Sequence, residues 1–151
     1  MRALPTDLPE TDFLTLRYRA DLNLLVCRWQ RPVSAAEFQQ GYRILLRAAQ
    51  ATNCPFWLLD VRGHTVPELG PMQWFKQEFL PHLSGQLDRR ICLGYLLSPV
   101  QMQQVGTPTE DGASVAFFSE EGPLTAWLTQ CQHRSRAVLM QAGFTPPPPA
   151  A

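Results

Sequence analysis

The sequence predicts an α/β domain: a single mixed, mostly parallel sheet of four to five strands, with an N-terminal hairpin and helices packed mainly on one face. Three observations carry this. Residues 13–30 hold two short strand-like runs separated by a turn. Two nearly continuous apolar runs, 56–61 (FWLLDV) and 90–98 (RICLGYLLS), have the character of strands covered on both faces. Segments with helical spacing alternate with these runs, and strand–helix–strand alternation implies right-handed crossovers between parallel strands.

Each element has a local reason. In residues 13–19, Leu14, Leu16 and Tyr18 alternate with Thr15, Arg17 and Arg19, the pattern of a half-exposed strand. Asp21 and Asn23 supply a turn, and residues 24–30 return as the second strand of an antiparallel hairpin. Ser34-Ala35-Ala36-Glu37 is a capping box, in which the serine hydroxyl accepts from the third helical N–H and the glutamate reaches back. Phe38, Tyr42, Leu45 and Ala49 then share one helical face, and the helix fades near Thr52 and Asn53. Pro71 suits a first helical position; Met72, Phe75, Phe79 and Leu83 line the face of a second helix that Pro81 ends or kinks. Residues 99–105 fit a short helix, 106–112 a polar loop and 114–118 (SVAFF) a last strand. Ser119 is placed to cap a final helix whose face holds Leu124, Trp127, Leu128 and Cys131, with Val138 and Ala142 extending the stripe to about residue 142. The expected order is β-β-α-β-α-β-(α)-β-α.

The chain has 151 residues, which fits one domain, assigned to residues 13–144. Residues 1–12 read as a flexible lead-in without the apolar segment of a signal peptide, and the four consecutive prolines in residues 145–151 mark a disordered, solvated tail. Residues 91–109 carry no charge, but Pro99, three glutamines and Gly106 argue against a membrane span. Lys+Arg and Asp+Glu are 13 each. A net charge of zero gives no electrostatic reason to expect nucleic acid or an anionic membrane as partner, and little protection from self-association. Cys27, Cys54, Cys92 and Cys131 are widely spaced with no CxxC pair, and read as reduced thiols in a cytoplasmic protein.

The element order, together with Ser34-Ala-Ala-Glu37, Trp57-Leu-Leu-Asp60 and Val115-Ala-Phe-Phe-Ser119 followed by Leu124-Thr-Ala-Trp127-Leu128, resembles the SpoIIAA-like branch of the STAS superfamily (STAS/SEC14-like) over roughly the whole chain. That resemblance implies a binding role, toward protein partners or toward small apolar or nucleotide ligands, rather than catalysis. The family's anti-sigma antagonists carry a phosphorylatable Ser or Thr right after the strand that ends in Asp. Here Asp60 is followed by Val61-Arg62-Gly63-His64-Thr65, so no hydroxyl adjoins it and Thr65 is the nearest candidate. This departure speaks against a phosphorylation switch.

The densest polar cluster is Asp60, Arg62, His64 and Glu68, beyond the carboxyl end of a central strand, where open α/β sheets tend to bind ligands. A carboxylate near an imidazole can orient it for proton transfer, but neither a nucleophile nor an oxyanion motif accompanies the pair. The plainer reading is an Asp60–Arg62 interaction that stabilises the loop. His82 and His133 stand apart, and no metal-ligand spacing or glycine-rich phosphate loop is present, so no metal, cofactor or catalytic residue is assigned. Trp74 points well away from the Met72-Phe75-Phe79 face, and Leu80 is also off it. Either the two anchor a partner or ligand, or residues 66–70 fold over Trp74.

Three functions follow. The first is a noncatalytic binding or regulatory module acting through protein contact by its second helix, with self-association into a dimer as one form. The second is a carrier of a small apolar or lipid-like ligand in a helix–sheet pocket bounded by Phe75, Phe79 and Trp127. The third, ranked last, is an enzyme using Asp60, Arg62 and His64.

Overall fold

The computed structural model describes residues 3–63, 69–105 and 112–141, and the side chains of all of these except 69, 70 and 137–141. Five strands form one sheet in the order β1-β2-β3-β4-β5, with β1 (Leu14–Arg19) antiparallel to β2 (Leu24–Trp29) and β2, β3 (Phe56–Asp60), β4 (Cys92–Leu96) and β5 (Ser114–Phe118) mutually parallel. This is the predicted α/β class, with the hairpin at the sheet's edge. The hairpin turn places Asn23 at φ 50°, a left-handed conformation that asparagine tolerates.

Strands added one after another in one direction by right-handed crossovers put their connecting helices on one face. Accordingly α1 (Ala35–Thr52), between β2 and β3, and the helical segment between β3 and β4 share one core, built on the row Leu25, Trp57, Leu93, Val115 and the next row Cys27, Leu59, Tyr95. The other face is left to α5 (Glu121–Gln141), which follows the last strand and lies over β3, β4 and β5. Leu124, Leu128 and Cys131 of α5 meet Phe56, Leu58, Cys92 and Leu96 there. Gly94 makes this close approach possible: a Cβ on it would lie 3.0 Å from Leu124 Cδ2.

The start of α1 is as expected. Ser34 Oγ accepts from Glu37 N–H at 3.2 Å, and the Glu37 carboxylate accepts from Ser34 N–H at 3.0 Å. Phe38, Tyr42, Leu45 and Ala49 are buried, and Asn53 closes the helix in a left-handed conformation. Within the lead-in, Leu4 and Leu8 pack on the core, and Asp7 pairs with Arg47 at 3.1 Å.

Between β3 and β4 the structure departs from a regular second helix. α2 (Leu69–Trp74) begins two residues before Pro71, runs into a π-helical turn (Phe75–Phe79) and ends as α3 (Leu80–His82). In the π turn Leu80 N–H donates to the Phe75 carbonyl, five residues back. The wider turn rotates Leu80 onto the face of Phe75 and Phe79, so that Leu80 is only 1 % exposed and Leu83 follows it into the core. A strict 3.6-residue period places Leu80 off that face, and the correction follows from this one turn. The short helix α4 (Pro99–Gln104) carries a second capping box, Ser98 with Gln101. The last helix starts at Glu121, two residues beyond Ser119, and reaches Gln141. Residues 106–111 and 142–151, with most of the expected polar loop and the proline tail, lie outside the described residues.

Candidate functional site at the carboxyl edge of the sheet

β2, β3, β4 and β5 end together, and one register row, Arg28–Asp60–Leu96–Phe118, closes the sheet on the α5 face. Strand alternation turns Asp60 to the same face as Phe56 and Leu58, which leaves its carboxylate almost buried, at 7 % exposure. Burying a lone charge is costly, and two arginines remove that cost. Arg28, beside it on β2, donates through Nη1 at 2.6 Å. Arg62 donates three times: its backbone N–H at 3.1 Å, Nε at 3.0 Å and Nη2 at 2.9 Å. Burial pushes the Asp60 carboxyl up most strongly of any one cause, but the hydrogen bonds from Arg62 and Arg28 together outweigh it and hold the group below its ordinary value.

The loop carrying Arg62 is seated by two contacts. Gly63 lies against the end of β2, where a Cβ would come 2.4 Å from the Trp29 carbonyl oxygen, so only glycine fits. Gln101 of α4, itself buried, donates through Nε2 to the Val61 carbonyl at 2.8 Å. α4 therefore stands next to the loop and presents Val100, a large hydrophobe 63 % exposed. On the other side Glu121, the first residue of α5, brings a carboxylate oxygen 3.9 Å from Arg28 Nη2. Both guanidinium groups remain partly open to solvent.

This geometry answers part of the sequence reading. Asp60 and Arg62 do meet, as the plainer reading expects. Asp60 accepts four hydrogen bonds from cations and a backbone N–H, so it serves as a fixed anion that orients two arginines, not as a free base. His64, Thr65 and Glu68 lie outside the described residues. Trp74 is half-buried on α1: its ring lies 5.3 Å from Phe79 and 6.1 Å from Phe38, with the Arg43 guanidinium 5.9 Å above it. It is thus part of an aromatic cluster, and Leu80, expected beside it at the surface, belongs to the core. Phe75 and Phe79 lie on the α1 face and Trp127 packs on Phe118 on the α5 face. The sheet separates them, so they do not bound one pocket.

Sequence reasoning missed Arg28, Gln101 and Glu121. Arg28 shows a weak signal, as the one charge in the run LLVCRW, but its partner depends on parallel pairing that no local pattern encodes. Among the described residues, no three His, Cys, Asp or Glu side chains come together so as to hold a metal ion, and no helix is long and apolar enough to cross a membrane. In comparisons with known proteins, no family model, no curated protein and no solved structure matches the chain.

Proposed function

We propose that this chain is a noncatalytic binding or regulatory module of the STAS-like type, working in the cytoplasm through protein–protein contact. The contact surface is the carboxyl edge of the sheet, and self-association is its simplest form. One observation carries the reading: a buried carboxylate holds the partly solvent-open Arg28 and Arg62 side by side, and α4, tied to the Arg62 loop through Gln101, carries the exposed Val100 at the same edge of the sheet. Guanidinium groups fixed in this way are suited to a carboxylate on a partner surface, and an apolar neighbour adds buried area. Rigid positioning lowers the ordering cost of binding. The aromatic packing of Trp74 moves the proposed surface from the second helix to this edge.

Native mass spectrometry at rising protein concentration tests the self-associating form. An oligomer in the wild type that dissociates in Arg62→Glu and in Val100→Glu supports it. A monomer that retains a small apolar molecule overturns it in favour of the carrier reading. For a different protein partner, a photo-crosslinking amino acid in place of Val100 is expected to give a discrete adduct in cells, lost when Arg62→Glu is added. Adduct yield unchanged by Arg62→Glu removes the arginine pair from the contact.

A further inference from the structure

We propose that Cys92 and Cys131 form a reversible disulfide that staples α5 to β4 and makes this pair the redox-sensitive site of the chain. The two are 39 positions apart in sequence, as 131 minus 92. The fold brings them together at the amino edge of the sheet, at the opposite end of the strands from Asp60. On β4, Cys92 and Gly94 point to the α5 face; on α5, Leu124 and Leu128 cover Gly94 and Cys131 follows one turn later. Because α5 runs back along β4, that turn sets Cys131 over Cys92. The thiols are within hydrogen-bonding reach of each other. A disulfide needs a close Cα approach of below about 7 Å, and the missing side chain at Gly94 is what lets the helix come down on the strand.

The surroundings suit thiol chemistry. Arg134 Nη2 donates to Cys131 Sγ at 3.2 Å, and Arg90 and Arg134 both place positive charge near Cys92. Both arginines are exposed, whereas Cys92 and Cys131 are 6 % and 3 % exposed, so the sulfurs lie just beneath a guanidinium rim. The hydrogen bond to Cys131, and after it burial, raises the Cys92 thiol, which keeps it as the donor of the pair. Cys131, faced by Arg134, is the sulfur on which developing negative charge is stabilised. The other two thiols lack such a setting. Cys27 and Cys54 lie on the far side of the sheet, fully buried, and burial pushes Cys27 up.

The step balances with hydrogen peroxide as oxidant. Cys131 sulfur attacks one peroxide oxygen, the O–O bond breaks, and a sulfenic acid and one water form. Cys92 sulfur then attacks the sulfenic sulfur, the S–S bond forms and a second water leaves. The two thiol hydrogens end in the two waters, both sulfurs are oxidised and the peroxide is reduced. A small dithiol restores the starting state by exchange.

The test treats the purified full chain with hydrogen peroxide, blocks remaining thiols after unfolding, and maps the peptides by mass spectrometry. The expected result is a Cys92–Cys131 cross-linked peptide, loss of two titratable thiols, and a melting midpoint raised by several degrees that returns with dithiothreitol. Arg134→Gln is expected to slow formation of the cross-link several-fold without changing its identity. Disulfides to Cys27 or Cys54, or sulfinic acid at Cys131 without a cross-link, would overturn the proposal. So would recovery of four unmodified thiols after exposure that oxidises a free peptide thiol. The wild-type peptide map decides the matter even if Cys92→Ala or Cys131→Ala fails to fold.

Discussion

The two faces of the sheet solve the same packing problem with different materials. The α1 face is filled by rings: Phe13, Trp29, Phe38, Tyr42, Trp74, Phe75, Phe79 and Tyr95 are linked by successive contacts between 5.0 and 6.4 Å. The α5 face is covered by one helix whose Leu124, Leu128 and Cys131 lie on the sheet around a glycine, with rings limited to Phe56 and the Phe118–Trp127 contact. Rings bury large areas and interlock from several elements at once, so that face resists relaxation. A single helix can settle or lift as a body. The difference explains why both candidate chemical features, the Asp60–arginine cluster and the thiol pair, lie on the α5 side, where side chains reach solvent around the helix.

The largest expected effect breaks this comparison directly. Trp29 stacks on Phe13 and Phe38 and fills the space beside Gly41, where a Cβ would come 2.3 Å from its ring. Trp29→Ala should cost about 3–5 kcal/mol, because no neighbour can close the hole. Leu128→Ala on the other face should cost about 2–3 kcal/mol, the low end for its type, since α5 can move inward. Urea midpoints with unchanged slopes measure both. Equal losses at the two sites would show that the faces are equally rigid.

Polar chemistry inside the ring-filled face sharpens the point. Tyr42 and Tyr95 hydroxyls meet at 2.6 Å in full burial, and burial holds both phenols well above their ordinary range. Tyr95→Phe leaves the Tyr42 hydroxyl without this partner and should cost about 1–3 kcal/mol. Adding Tyr42→Phe should recover most of that loss, because removing both hydroxyls leaves no polar group stranded. A cycle showing simple additivity would mean that the pair contributes no coupling. On the opposite face, Gly94→Ala presses on Leu124 at 3.0 Å and should cost about 1–3 kcal/mol by overpacking, whereas Gly122→Ala, which meets nothing within 4 Å, should change stability by less than about 1 kcal/mol. Thermal midpoints of the two variants compare them.

Much of this fold was legible because its signals are local. The capping box at Ser34, the stripe from Phe38 to Ala49 and the runs at 56–61 and 90–98 each report their element without any other. The π turn was not legible: a helix pattern is read with a fixed period, and the extra residue between Phe75 and Leu80 has no residue-type marker. That is why Leu80 was expected outside and is found inside. Asp60 and Arg62 were found together because they are two residues apart. Arg28 and Glu121 were not, because their approach to Asp60 depends on which strands pair and where α5 begins. The thiol pair was invisible for the same reason. Wide spacing rules out a CxxC site, yet says nothing about a helix folding back over a strand.

The smallest expected effect concerns acid. Glu37 accepts from Arg31 at 2.7 Å and from Ser34 N–H, and these bonds, the arginine's first, lower its carboxyl to about 2. A carboxyl depressed in the fold stabilises it above the unfolded value, near 4.5, and that contribution fades as pH falls toward about 2. Glu37→Gln keeps a side chain able to complete the capping box, so it removes the ion pair while leaving the cap. Its melting midpoint should approach that of the wild type as pH drops from 5 to about 2 and fall slightly below it at neutral pH. Added salt should shrink the neutral-pH gap, because the pair is partly open to solvent. A gap independent of both pH and salt would assign the loss to the cap rather than the charge. The slope that remains in Glu37→Gln belongs to the other depressed carboxyls, Asp60 between its two arginines among them.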